Sequence, residues 1–124
     1  MIQGQVNSNR EAIIQVSILD SQGLAKAIEA VIDTGFNGFL TLPLALVEEL
    51  GLEFQGHGHS TLANGQEETF KLFAARVTLD EAMREIVVDA ADIVPLVGMA
   101  LLEGYTLQIQ VKTGGTVSLA PLDD

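Results

Sequence analysis

Apolar and polar positions alternate along most of this chain, which is the signature of half-buried strands. Residues 11–19, Glu-Ala-Ile-Ile-Gln-Val-Ser-Ile-Leu, predict a strand between two groups of turn-formers, Asn7-Ser8-Asn9 and Asp20-Ser21-Gln22-Gly23. Residues 26–32 run up to Val31-Ile32 as a strand entering the interior, and a short apolar stretch, Phe39-Leu40-Thr41-Leu42, follows a few residues later. The period then changes. Leu44, Leu46, Val47, Leu50 and Leu52 hold a helical spacing with Glu48 and Glu49 opposite, Pro43 suits the first helical position, and Gly51 suits the C-cap.

Beyond the helix the pattern returns to strands. His57–Leu62 and Glu67–Phe73 predict a long hairpin turning at Asn64-Gly65, a strong hairpin dipeptide. Residues 74–79 and 84–90 predict a second strand pair around Asp80-Glu81-Ala82. Ile93-Val94-Pro95-Leu96-Val97 leads into Gly98, and Met99–Glu103 predicts one or two helical turns. Thr106–Val111 and Thr116–Leu119 predict a last hairpin over Lys112-Thr113-Gly114-Gly115, with a frayed tail from Pro121. A strand, an apolar entry, a glycine and a short helix recur around Gly35 and Gly98, too loosely to count as a repeat. The expectation is an all-β domain with one or two short helices, spanning residues 1–124 without a linker.

Composition narrows the function classes. The net charge of −11 would repel phosphate backbones, so nucleic acid is not an expected partner. There are no cysteines, which removes thiolate nucleophiles and cysteine-ligated metal sites. No apolar run approaches the ~20 residues of a membrane helix. The start, Met1-Ile2-Gln3-Gly4-Gln5, is not a signal peptide, so no membrane partner is expected and a cytoplasmic location is. The mean hydropathy of +0.33 is high for a small domain without a membrane span. A large internal core and an apolar surface buried against another subunit both account for it.

The chemistry centres on Asp33-Thr34-Gly35. A carboxylate at the tip of a buried apolar strand is costly unless hydrogen-bonded, and a glycine two residues on lets backbone N–H groups reach it. The tripeptide by itself also fits an ordinary turn. His57 and His59, alternate residues of a strand, face one side and suit a metal; two solvent-facing histidines explain them as well, and no metal or cofactor is expected. Ser60 beside His59 is poorly placed as a nucleophile, because neighbours on a strand point opposite ways. Gly56-His57-Gly58 lacks the remaining residues of a phosphate loop.

Taken together, Val31-Ile32-Asp33-Thr34-Gly35, the central hairpin turning at Asn64-Gly65, and Leu96-Val97-Gly98 with the short helix after it resemble the retropepsin-like aspartic protease family over roughly Glu11 to Leu119. The resemblance implies a closed β-barrel with a flap hairpin, and a homodimer whose two Asp33 carboxylates hydrolyse peptide or protein substrates. It implies catalytic roles for Asp33, Thr34 and Gly35. Substrate contacts are expected from Phe36, Asn37, the hairpin tip Ala63-Asn64-Gly65, and Val97-Gly98. A homodimer is also what the chemistry needs: a carboxylate pair must share one proton, and the chain holds one Asp-Thr-Gly. The N-terminal strand and Thr116–Leu119 are the expected intersubunit strands, as open edges.

The chain departs from the family pattern in three places. Phe36 stands where a small Ala or Ser is usual, Met99-Ala100 stand where viral members carry a basic residue, and the hairpin tip has few glycines. A dimeric peptide-binding module of the same fold, without hydrolysis, is the alternative that Phe36 keeps open. A third reading is a monomeric β-domain in which Asp-Thr-Gly is only a turn.

Overall fold

The computed structural model describes residues 1–123. Ten strands and two short helices follow in the order β1 (Ile2–Val6), β2 (Ala12–Leu19), β3 (Ala25–Ile32), β4 (Leu40–Leu42), α1 (Leu44–Leu50), β5 (Glu53–Thr61), β6 (Glu67–Leu79), β7 (Ala82–Ala90), β8 (Leu96–Val97), α2 (Met99–Leu102), β9 (Tyr105–Ile109) and β10 (Thr116–Pro121). The turns form where side chains can replace ladder bonds. Asn7 Oδ1 accepts from the amides of Asn9 and Glu11, and Asp20 Oδ1 from those of Gln22 and Leu24.

All strands belong to one sheet, β5-β6-β7-β4-β8-β3-β2-β1-β10-β9. A further pairing of β6 with β2, at Ser17–Thr78 and Ile18–Val77, brings β2, β3, β8, β4, β7 and β6 into a barrel-like ring. The seam is two residue pairs long, and long hairpins run off the ring; the mostly β architecture that the sequence led us to expect is present, with this barrel-like ring at its centre. Residues of one strand parity fill the ring: Ile14, Val16 and Ile18 of β2, Val77 and Leu79 of β6, and Ile86 and Val88 of β7 are buried with Leu40, Val47, Val97 and Leu101. Each such side chain stabilises the fold by roughly 1.5–3 kcal/mol relative to exposure.

Several elements differ from the sequence expectation. The segments 67–73 and 74–79 are one continuous strand, β6, that serves both hairpins. Asp80 and Glu81 alone make the β6–β7 turn, both at positive φ, which leaves Ala82 in the strand. Pro43 is the N-cap of α1 and not its first residue, while Gly51 caps the other end in the left-handed conformation at φ 68. The tail does not fray at Pro121, which pairs with Tyr105, and the Leu122 amide bonds to the Gly104 carbonyl; Asp124 lies outside the described residues. The largest correction concerns the strand edges. Within the chain β1 is flanked by β10 and β2, and β10 by β1 and β9, so neither is the open edge expected of an intersubunit strand. The sheet ends instead at β5 and β9. Among the described residues no helix is long and apolar enough to cross a membrane.

Candidate functional site

The arrangement around Asp33 depends on one crossover. β3 and β4 are consecutive in the chain, yet β8, some sixty residues later, inserts between them. It runs parallel to β3, with Val31 opposite Leu96 and Ile32 opposite Val97, and antiparallel to β4. The two segments that echo each other in sequence thus lie side by side. Asp33 leaves the end of β3 at this junction.

Backbone bonds clamp the Asp33 loop to β8 and α2. The Asp33 amide donates to the Val97 carbonyl at 2.9 Å. In return Gly98 donates to Phe39 (3.0 Å), Met99 to Phe36 (2.8 Å) and Ala100 to Gly38 (3.1 Å). Inside the loop, Asp33 Oδ1 accepts from the Gly35 amide at 2.9 Å. That bond is the service expected of a glycine two residues after a carboxylate. Asp33 is half-buried, whereas Thr34, Gly35 and Asn37 are exposed.

Gly98 permits the clamp by lacking a side chain. A methyl group built there would overlap the Gly38 carbonyl oxygen and sit 2.5 Å from Phe36 Cδ2. Gly38 has the same relation to Phe36, with the ring 2.6 Å from where its methyl would be. The Phe36 ring therefore lies back over Gly38 and Gly98 and fills the space the two glycines leave.

Arg84 of β7 completes the arrangement, and the sequence pattern did not single it out. Its guanidinium donates to the carbonyls of Leu101 (3.1 Å) and Ala100 (3.5 Å) and stands 5.6 Å from the Phe39 ring centre. A four-residue helix leaves its carbonyls without intrahelical partners, and a cation at the C-terminus satisfies them. The residues after Gly98 carry no positive charge, but α2 receives one from β7.

The hairpin tip is built differently. Ala63, Asn64 and Gly65 are exposed, and the turn is held by bonds among its own residues: Leu62 to Gln66, Gly65 to Leu62, and the Gln66 amide to Asn64 Oδ1. Lower down, the Phe70 ring covers Gly58 across the ladder, with Cε2 2.5 Å from where a methyl would stand. Phe54 stacks edge-on against Phe73 and His57. His59 Nδ1 meets Thr69 Oγ1 at 3.5 Å. Among the described residues no three His, Asp or Glu side chains gather as metal ligands.

Asp89 of β7 is a second carboxylate that the sequence pattern did not single out. It is half-buried opposite Thr41, the one buried polar residue among those described, and burial pushes its carboxyl above the ordinary range. A sequence signal existed: it is the lone charge in Ile86-Val87-Val88-Asp89-Ala90.

No protein-family model matches this chain, and no curated protein does. Among solved structures it is similar to the crystal structure of a retropepsin-like aspartic protease from Rickettsia conorii, with a TM-score of 0.60 over 98% of this chain and 91% of that one, at 15% sequence identity. The likeness spans the ring, the crossover and the hairpins alike, so the chain has a retropepsin-like fold.

Proposed function

We propose that the chain is one subunit of a homodimeric aspartic endopeptidase whose site is completed by the Asp33 of a second copy. The observation that carries this reading is the Asp33 loop itself. It presents a half-buried carboxylate between the buried Ile32 and the exposed Thr34 and Gly35, and it is held by four backbone bonds to β8 and α2 within a fold of the protease type. In the proposed reaction one Asp33 carboxylate takes a proton from water, and the water oxygen bonds to the peptide carbonyl carbon. The partner Asp33, protonated, donates to the carbonyl oxygen. The C–N bond then breaks as the amine nitrogen gains a proton. Two carboxyls about 3 Å apart cannot both be ionised, so the pair shares one proton. Thr34 and Gly35 would stand beside the two-fold axis. Phe36, packed on the glycines, would shape the loop, and Asn37, Ala63, Asn64, Gly65, Val97 and Gly98 would border the peptide.

The test is a mixing experiment. Asp33→Asn keeps the shape of the side chain and removes its ionisation, and turnover of unfolded substrates should fall at least about 10³-fold. When wild type and Asp33→Asn are mixed at constant total chain, activity should follow the square of the wild-type fraction, because only homodimers carry both carboxylates. A linear dependence would defeat the shared site. Equal cleavage by Asp33→Asn, or no cleavage by wild type between pH 3 and 8, would leave the peptide-binding reading in its place.

A further inference from the structure

Neighbouring residues on a strand face opposite sides of the sheet, and directly paired residues face the same side. Ile32 pairs with Val97, Val97 with Leu40, Leu40 with Val88 and Val88 with Phe73; all five are buried, so this row faces the core. Val31 begins the adjacent row. It pairs with Leu96, Leu96 with Thr41, Thr41 with Asp89 and Asp89 with Leu72. This second row lies on the opposite face of the sheet from the first; Thr41 at its centre is buried, and Val31, Leu96, Asp89 and Leu72 are half-buried. Asp33 follows the end of β3, but its amide continues the ladder, donating to the Val97 carbonyl as the Val31 amide donates to that of Pro95. The alternation carried on from Val31 therefore puts Asp33 on the side of the sheet where the registers of β3, β8, β4 and β7 place Asp89.

Asp89 is the only ionisable residue in a row that otherwise reads Val31, Leu96, Thr41 and Leu72. The ion pairs among the described residues are Met1 with Asp80 and Arg76 with Glu85, and Asp89 belongs to neither. Arg76 lies on this face of β6 four residues beyond Leu72, and Glu85 holds it at 3.8 Å. Asp89 is thus a half-buried carboxylate between Thr41 and Leu72, with no cation paired to it among the described residues. That state is costly, and a cation brought from outside relieves the cost.

The spacing says what would bring it. Strands lie about 4.8 Å apart, so the three steps from β3 to β7 span about 14 Å, while an extended peptide advances about 3.3 Å per residue. A peptide laid across this face with its scissile bond at Asp33 would meet Asp89 about four residues away.

We propose that Asp89 is a specificity-determining residue that selects peptides carrying Lys or Arg about three to five residues from the bond that is cut. The proposal rests on the protease reading of Asp33, and it deepens that reading by naming a substrate class. A symmetric second copy would supply another Asp89, so the preference falls on either side of the cut.

The test walks a single Lys along a cleavable peptide and compares each position with norleucine, which has a similar stem without the charge. At one or two positions Lys should raise kcat/KM about tenfold, a difference of about 1.4 kcal/mol. The Lys-to-norleucine ratio should fall to within twofold in Asp89→Asn. In Asp89→Lys the preference at that position should pass to Glu. The same peptides are then titrated, by fluorescence anisotropy, into Asp33→Asn and into Asp33→Asn with Asp89→Asn. Loss of the Lys preference in the double variant sustains Asp89 as the residue that selects Lys or Arg on a bound peptide even if wild type cleaves nothing, a result that would sink the protease reading and with it the spacing from a cut bond. A Lys preference that is the same with and without the Asp89 carboxylate overturns the proposal and leaves the protease reading standing.

Discussion

The Asp33 loop and the tip of the β5–β6 hairpin are both irregular segments between strands, yet they are held in opposite ways. The loop from Asp33 to Phe39 is bound by Val97, Gly98, Met99 and Ala100, residues about sixty positions away, and Arg84 braces the helix that supplies two of those bonds. The hairpin tip bonds within itself, and β5 pairs with β6 alone. A segment tied by distant partners moves only when the crossover opens. A segment tied by its neighbours can move as a unit at little cost, and its cohesion depends on local covers such as Phe70 over Gly58. Under the proposed protease function, a clamped carboxylate loop and a locally held hairpin would suit a site that admits a long substrate.

Two glycines give the sharpest way to break this contrast. Gly98 has φ −99, which any residue adopts, and it is glycine because a methyl would strike the Gly38 carbonyl and Phe36. Gly65 has φ +86 with open space around it, and it is glycine for its conformation alone. Gly98→Ala should destabilise the protein by about 3 kcal/mol or more. Gly65→Ala should cost about 1–2 kcal/mol. Denaturant unfolding measures both, and equal costs would mean that the loop is no more tightly clamped than the tip.

The next effect in size is kinetic. The amides of Asp33, Gly98 and Met99 should exchange with solvent at least about tenfold more slowly than those of Leu62, Gly65 and Gln66, because opening them requires β8 to leave the sheet. Phe70→Ala should speed exchange further along the hairpin at Gly58 and Thr69 while leaving Gly98 unchanged. Comparable protection in the two segments would erase the distinction.

The smallest effect concerns Asp89. Burial raises its carboxyl above the ordinary value of 3.8, so the native state holds that proton more tightly than the unfolded chain does. Its contribution to stability is therefore fully present below the unfolded value and is lost as pH rises through the folded one. Asp89→Asn should leave stability unchanged near pH 3 and raise it at pH 7, by less than about 1 kcal/mol because solvent screens a partly exposed group. Thermal melts at the two pH values measure the difference, and a loss of stability at pH 7 would show a cation partner within the chain.

Much of this was legible in the sequence because it is local. Alternation marked the strands, Asn64-Gly65 and the Asx residues marked the turns, and Asp33-Thr34-Gly35 at the end of an apolar strand marked the candidate site. The bond from the Gly35 amide to Asp33 follows from that tripeptide, since its partners are two residues apart. Periods of two and turn chemistry are written in neighbouring residues, and no distant part of the chain is needed to read them.

What only the tertiary structure decided is which strands lie beside which. The sequence marked Thr116–Leu119 as a strand but could not say that β1 and β9 would cover both its edges. It marked Leu96-Val97 as apolar but not that β8 would part β3 from β4 and turn Gly98 into the contact point for Gly38. Asp89 looked like one charge in an apolar strand until the registers through Thr41 and Leu96 placed it in one row with Val31, two residues before Asp33. Strand order and register arise from pairings made over dozens of residues, where each strand has several partners of similar pattern. The choice among them is made by closing the ring around one core, and no local segment carries that information.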